Sequence, residues 1–136
     1  MTAKPIIETV MLIDDERADQ IMYRRILERS GVVRNHISFQ YASEALEYLK
    51  RQDRAEIDLI FLDINMPGMS GFEFLEAATA EFGPGFAKAV VVMLTTSLNP
   101  RDRERAAQFD AVRDFVNKPL TVEYIETLAE LVAGSQ

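Results

Sequence analysis

The sequence has no cysteine, no tryptophan and a single histidine, His36, among its 136 residues. Without cysteine the chain cannot form a disulfide scaffold, and the thiolate ligands that zinc favours are missing. A bound metal ion would have to rely on oxygen ligands, which favours a hard cation such as Mg²⁺ over zinc. The lack of cysteine also fits a reducing compartment, so we predict a cytoplasmic protein.

Positive charge and long apolar segments are also scarce. The 15 Lys and Arg residues are outnumbered by 22 Asp and Glu residues, which gives a formal net charge of −7. Because binding to a phosphate backbone requires clustered cations, direct nucleic-acid binding is disfavoured. No apolar run is long enough to span a membrane, and Glu8 interrupts the short run that could have formed a secretory signal. The chain shows no repeat or linker, and we expect one domain over residues 1–136 without an attached output domain.

Short apolar runs alternate with helical patterns along the whole chain. The runs near residues 9–13, 57–62 and 89–94 are almost continuously apolar, which is typical of strands covered by helices on both faces. Residues 37–41 alternate between apolar and polar, as expected for an edge strand, and a fifth strand ends near Asn117. This alternation predicts an α/β protein with a doubly wound parallel sheet of five strands and five helices. Right-handed crossovers give the strand order 2-1-3-4-5.

Helix faces and ends can also be predicted. Ala18, Met22 and Ile26 form an i, i+4 stripe that we expect to be the buried face of the first helix, which should end at Gly31. The predicted N-terminal caps of the second, fourth and fifth helices are, in that order, Ser43, Asn99 and Thr121.

Three carboxylates stand at the ends of two of these strands. Asp14 and Asp15 follow the first apolar run, and Asp63 follows the third. If the strands are neighbours, the carboxylates share one pocket, where two charges about 4 Å apart repel by about 4 kcal/mol at an effective dielectric of about 20. Either a proton or a cation must relieve this repulsion, and the oxygen-rich surroundings favour the cation.

The ends of the fourth and fifth strands supply a hydroxyl and an ammonium group. Thr95 follows the fourth run, and Lys118 follows the fifth. A nucleophilic carboxylate, a metal cage, a hydroxyl donor and a fixed positive charge are the groups that phosphoryl transfer requires, because the transferred group spreads negative charge over its oxygens.

These residues occur in four sequence elements. They are I-D-D-E at 13–16, F-L-D-I-N-M-P-G-M-S-G at 61–71, M-L-T-T-S at 93–97 and D-F-V-N-K-P-L at 114–120. In this order they resemble a two-component response-regulator receiver domain, in its stand-alone, chemotaxis-regulator-like form, and the resemblance covers nearly the whole chain. It implies a flavodoxin-like fold and a phosphorylation-dependent signalling switch that signals by protein contact.

The resemblance implies specific roles for the acidic residues. Asp63 would accept a phosphoryl group from a sensor histidine kinase or a phosphotransfer protein. Asp15 and Asp63 would bind Mg²⁺ directly, Asn65 would contribute its backbone carbonyl, and Asp14 would act mainly through water.

The resemblance also implies a switch. Lys118 would pair with the phosphoryl group and Thr95 would donate its hydroxyl to it, leaving space into which the Phe115 ring can turn. The changed surface of helix 4, strand 5 and helix 5 would then contact a downstream protein. Phe115 stands where the family often has Tyr, so a contact through a hydroxyl is not available. The protein would not be an enzyme, although it would assist its own phosphorylation and dephosphorylation.

Two other functions are compatible with parts of this pattern. A hydrolase of the haloacid-dehalogenase type also uses an aspartate at a strand end, but it expects a second acid two residues later, where this chain has Asn65. It also expects a cap insertion, for which the length leaves little room. A pure interaction module with a vestigial site is the second alternative, and the intact set of strand-end residues argues against it.

Overall fold

A computed structural model describes residues 5–83, 90–96 and 98–134 of the chain. The strands form one parallel sheet in the order β2-β1-β3-β4-β5, as predicted. They are β1 (Ile7–Ile13), β2 (Val33–Phe39), β3 (Leu59–Asp63), β4 (Val90–Thr95) and β5 (Val112–Asn117). The predicted strand start at Ala89 and the Ser97 position of the third sequence element lie outside the described residues.

Five helices connect and follow the strands. They are α1 (Arg17–Ser30), α2 (Ala42–Lys50), α3 (Gly71–Phe82), α4 (Pro100–Ala106) and α5 (Val122–Gly134). Apolar side chains of α1 and α5 pack in one core cluster, whereas α2, α3 and α4 contribute to a second cluster that contains the other face of the sheet. Burial on both faces explains the continuous apolar runs of β1, β3 and β4. Among the described residues, no helix combines the length and the apolar character that crossing a bilayer requires.

The buried face of α1 differs from the predicted one. Its buried residues are Gln20, Tyr23, Leu27 and Ser30, whereas Met22 of the predicted stripe is 40% exposed. The reason is that Gln20 donates from its side-chain amide to the backbone carbonyls of Asp14 and Phe39, so a polar residue occupies the helix–sheet contact. A pattern that counts only apolar residues therefore selects the wrong face.

Most predicted helix ends are confirmed. Gly31 ends α1 with φ +71°, the left-handed conformation that glycine adopts without strain. Asn99 accepts a hydrogen bond from the backbone of Arg101, and Thr121 accepts one from the backbone of Tyr124. The predicted cap Ser43 is wrong because α2 already begins at Ala42.

The edge strand β2 begins earlier than the alternating pattern predicts. It starts at Val33 and pairs with β1 along its length, so that His36 lies opposite Val10 in the middle of the strand. Its N-terminal half is polar because only one side of this strand has a neighbour in the sheet, and a polar edge resists pairing with other chains.

Candidate functional site

The sheet brings the predicted strand-end residues to one edge. Parallel pairing places Ile13 opposite Leu62, Asp63 opposite Leu94, and Thr95 opposite Asn117. Because the strands run in the same direction, the residues that end them lie side by side. Asp14, Asp15 and Asp63 each present a carboxylate oxygen within 4.8 Å of the others.

Asp63 lies at the end of β3 and is only 8% exposed. Burial and the nearby Asp14 carboxylate raise its pKa from the ordinary 3.8 to about 6, although the Lys118 ammonium acts in the opposite direction. Both a proton and a cation are therefore favoured at this carboxylate, which is what the crowding of acids predicts.

Asp14 uses both of its carboxylate oxygens within the protein. Oδ1 accepts a hydrogen bond of 2.9 Å from the backbone N–H of Glu16, and Oδ2 accepts one of 3.0 Å from Lys118 Nζ. Burial raises the pKa of Asp14, and these two hydrogen bonds act against that rise. Each Asp14 oxygen thus accepts one hydrogen bond from the protein.

Lys118 follows β5 and places its ammonium group among the acids. Nζ lies 3.0 Å from Asp14 Oδ2, 2.9 Å from Asp19 Oδ2 and 3.5 Å from Asp63 Oδ1. Burial alone would lower the pKa of Lys118, but hydrogen bonds with Asp19 and Asp14 outweigh it and raise the pKa above its ordinary value. The site therefore carries a permanent positive charge next to Asp63.

The donor set fits a small hard cation. Asp15 is partly exposed, whereas Asp14 and Asp63 are buried. The cluster therefore offers carboxylate oxygens as ligands, and solvent can reach it on the Asp15 side. Asn65 lies exposed in the loop two residues after Asp63, and its carbonyl remains a predicted ligand.

The two predicted switch residues are both buried. Thr95 ends β4 with 1% exposure, and its carbonyl accepts a hydrogen bond from the backbone N–H of Lys118. The Phe115 ring is 7% exposed and lies under the Arg103 guanidinium, whose carbon is 4.9 Å from the ring centroid. Phe115 thus occupies a buried position in this structure.

Sequence reasoning assigned no role to three residues at this edge. Asp19, in the first turn of α1, contacts Lys118 across 99 positions of sequence. Tyr23 lies one turn later and is fully buried, and its hydroxyl has no hydrogen bond of normal geometry among the described residues. Gly71 begins α3 against the Asp63 backbone, where a Cβ atom would overlap the Asp63 carbonyl oxygen. The only signal for Asp19 was its place one turn after Asp15 at the same end of the sheet.

Comparison with known proteins identifies the family. The sequence profile of the response regulator receiver domain matches residues 10–130. A two-component response regulator from Cytophaga hutchinsonii has a similar structure, with a TM-score of 0.85, 32% identity, and coverage of 95% of this chain and 98% of that one. The chemotaxis protein CheY4 of Vibrio cholerae superposes with a TM-score of 0.74 and 25% identity, over 93% of this chain and 98% of its own.

Curated relatives are longer proteins. The sensory/regulatory protein RpfC of Xanthomonas campestris pv. campestris (strain 8004) is 27% identical over 128 residues, which are 93% of this chain and 17% of RpfC. The putative two-component response regulator ARR13 of Arabidopsis thaliana is 35% identical over 112 residues, 82% of this chain and 18% of that protein. The chain thus spans less than a fifth of the length of these two relatives.

The fold, the acidic edge of the sheet and these matches lead to one conclusion. The chain belongs to the response regulator receiver domain family, whose members are phosphorylation-dependent switches of two-component signalling.

Proposed function

We propose that Asp63 of this chain accepts a phosphoryl group from a sensor histidine kinase or a phosphotransfer protein, in the cytoplasm and with Mg²⁺ at the acidic cluster. The observation that carries this proposal is the convergence of Asp14, Asp15 and Asp63 with the Lys118 ammonium at one edge of the sheet. No other cluster of three metal-ligating acids occurs in the described part of the chain.

The chemical step is a displacement at phosphorus. An Asp63 carboxylate oxygen attacks the phosphorus of a phosphohistidine, forming an acyl phosphate. The P–N bond breaks, and its electron pair returns to the imidazole of the donor. Mg²⁺, when bound by Asp15, Asp63 and the Asn65 carbonyl, would offset the negative charge of the phosphoryl oxygens. Asp14 would act mainly through water, since its own oxygens already accept two hydrogen bonds.

Lys118 and Thr95 would receive the phosphoryl group. The Lys118 ammonium is 3.5 Å from Asp63 Oδ1, so a phosphoryl oxygen on Asp63 comes within its reach. The Thr95 hydroxyl would donate a second hydrogen bond. Hydrogen bonds to charged groups contribute about 1.5 to 3 kcal/mol each, and about 5.5 kcal/mol moves a two-state protein from 1:99 to 99:1. Two or three such bonds are enough to operate a switch.

The output surface would be formed by α4, β5 and α5. Phe115 lies on β5 opposite Met93, two residues before Thr95 on β4, and its ring lies under Arg103 of α4. A change at Thr95 would alter the packing of the ring and the position of α4. A downstream protein would read that change by direct contact. In this role the chain is not an enzyme with turnover, although its residues assist its own phosphorylation and dephosphorylation.

The test is phosphorylation by acetyl phosphate in the presence of Mg²⁺. We expect incorporation to approach one phosphoryl group per chain, to require Mg²⁺ and to be absent in Asp63→Asn. Steady turnover of small phosphomonoesters, with no accumulated label, would instead support the haloacid-dehalogenase type of hydrolase. Label that persists at the wild-type level in Asp63→Asn would refute the assignment.

A further inference from the structure

We propose that Asp19 is a positioning residue that holds the Lys118 ammonium in a resting place, from which the phosphoryl group on Asp63 must draw it. This inference rests on the proposed function and adds a residue that sets how strongly the phosphoryl group is held. Asp19 is not among the predicted metal ligands, and its side chain accepts a hydrogen bond from Lys118.

The contacts of Lys118 are uneven. Nζ donates hydrogen bonds of 3.0 Å to Asp14 and 2.9 Å to Asp19, whereas its distance of 3.5 Å to Asp63 is that of an ion pair at the outer limit of hydrogen bonding. The ammonium is therefore hydrogen-bonded to Asp14 and Asp19 and is only ion-paired, at a longer distance, with the acid that we propose as the phosphoacceptor. Lys118 is 14% exposed and Asp19 is 25% exposed, so water screens this pair only in part.

Phosphorylation changes the competition for this ammonium group. In the resting protein, two carboxylates accept from it. A phosphoryl group adds about 1.5 to 2 negative charges on the Asp63 side, so the ammonium is drawn away from α1. Asp14 is close enough to the acidic cluster to respond to the same metal ion. Asp19 is not a member of that cluster, and we expect it to keep competing for Lys118 after the metal and the phosphoryl group have bound.

The backbone fixes the position of Asp19. It lies in the first turn of α1, and the helix is held against the edge of the sheet by the Gln20 side chain, which donates to the carbonyls of Asp14 and Phe39. Asp19 is therefore presented by a rigid element rather than by a loop. Rigid presentation is what allows one carboxylate to determine where a flexible lysine rests.

The experiment measures the affinity for beryllofluoride, a stable analogue of the phosphoryl group, by calorimetry at saturating Mg²⁺. Asp19→Asn keeps the shape of the side chain and removes its charge. We expect it to bind beryllofluoride about tenfold more tightly, which corresponds to about 1.4 kcal/mol. Glu16→Gln is the matched control, since it removes an exposed charge at the same end of the chain's first helix without touching Lys118. It should change the affinity by less than about twofold, and Asp19→Glu should remain close to wild type.

A double-mutant cycle separates positioning from a structural role. Lys118→Met should itself weaken beryllofluoride binding, so both members of this pair are titrated at higher beryllofluoride concentrations. In that background Asp19→Asn should lose most of its effect, because its main route of action through Lys118 is gone. An unchanged effect in the Lys118→Met background would overturn the inference. The inference would also be overturned if Asp19→Asn changed the affinity as little as Glu16→Gln, or if it bound beryllofluoride more weakly than wild type. If wild type itself bound no beryllofluoride with Mg²⁺, the proposed function would fail together with this inference.

Discussion

At the scale of one residue, the placement of several carboxylates close together changes the pKa of Asp63. Its carboxylate is buried next to Asp14, and this raises its pKa to about 6. A metal-free site of this kind is held in a state that favours protonation, and it gains stability when a cation binds. The same crowding should therefore make the affinity of this cluster for a divalent ion depend on the charge of Asp63, the proposed phosphoacceptor.

This coupling predicts an unusual stability effect for Asp63→Asn. A carboxyl group whose pKa is raised on folding stabilises the folded state below its unfolded pKa, and this contribution is lost as the pH rises through the folded value of about 6. In metal-free protein at pH about 7.5, Asp63→Asn should therefore be more stable than wild type, by up to about 3 kcal/mol. Urea unfolding in a chelator measures the difference.

Two comparisons control this prediction. Near pH 4 the Asp63 carboxyl is largely protonated when folded, so most of the advantage of the asparagine variant should disappear. Saturating Mg²⁺ should reduce or reverse the advantage at neutral pH, because ion binding stabilises only the protein that keeps its ligands. If Asp63→Asn were destabilised equally at both pH values, burial and the Asp14 charge would not be raising the pKa of Asp63.

Lys118 is predicted to be a charge partner and not a metal ligand. Lys118→Met leaves Asp14 and Asp19 without their shared ammonium, and removing one partner of a buried ion pair costs about 3 to 5 kcal/mol. We expect a loss of about 3 kcal/mol in unfolding free energy without metal, because Asp19 is partly exposed. Phosphorylation should be lost, whereas Mg²⁺ affinity should stay equal to wild type or increase. A fall in Mg²⁺ affinity as large as in Asp15→Ala, measured by titration, would contradict this role.

At the scale of elements, the loop between β3 and α3 is built around Gly71. The backbone N–H of Gly71 donates to the Ile64 carbonyl at 2.8 Å, and a Cβ atom here would overlap the Asp63 carbonyl oxygen. The capping box of α3, formed by Ser70 and Glu73, fixes the start of a helix whose first residue, Gly71, lies against the Asp63 backbone. The position of the Asp63 backbone therefore requires that residue 71 is glycine, which has no side chain.

Gly71→Ala should consequently disturb both stability and chemistry. We expect a loss of about 1 to 3 kcal/mol from overpacking, together with a clear fall in the rate of labelling by acetyl phosphate. Gly68→Ala is the matched control in the same loop. Gly68 has φ +77° with open space around it, so its substitution should cost about 1 to 2 kcal/mol of backbone strain while leaving Asp63 in place. Equal labelling rates for the two variants would argue against a steric role of Gly71.

The elements also show why sequence reasoning succeeded in some places and failed in others. Strand ends could be predicted because continuous apolar runs stop abruptly at Asp14 and Asp63. The buried face of α1 could not, because Gln20 is held there by carbonyl groups from β1 and β2 that no local pattern reveals. The contact between Asp19 and Lys118 was missed for the same reason: it depends on two elements at opposite ends of the chain.

At the scale of the whole molecule, the strand order explains how the site is assembled. The order β2-β1-β3-β4-β5 makes β1, β3, β4 and β5 consecutive neighbours, and each supplies one part of the site at its carboxyl end. This topology could be predicted from the alternation of elements and the handedness of crossovers. The direction of each side chain and the partners of Lys118 could not, because they depend on packing between distant segments.

The most direct test of the central claim is to locate the label after phosphorylation by acetyl phosphate and Mg²⁺. Peptide mapping by mass spectrometry should place the phosphoryl group on the peptide that contains Asp63, and on that residue alone, in wild-type protein. Label at His36, or at an acidic residue away from the cluster, would contradict the account.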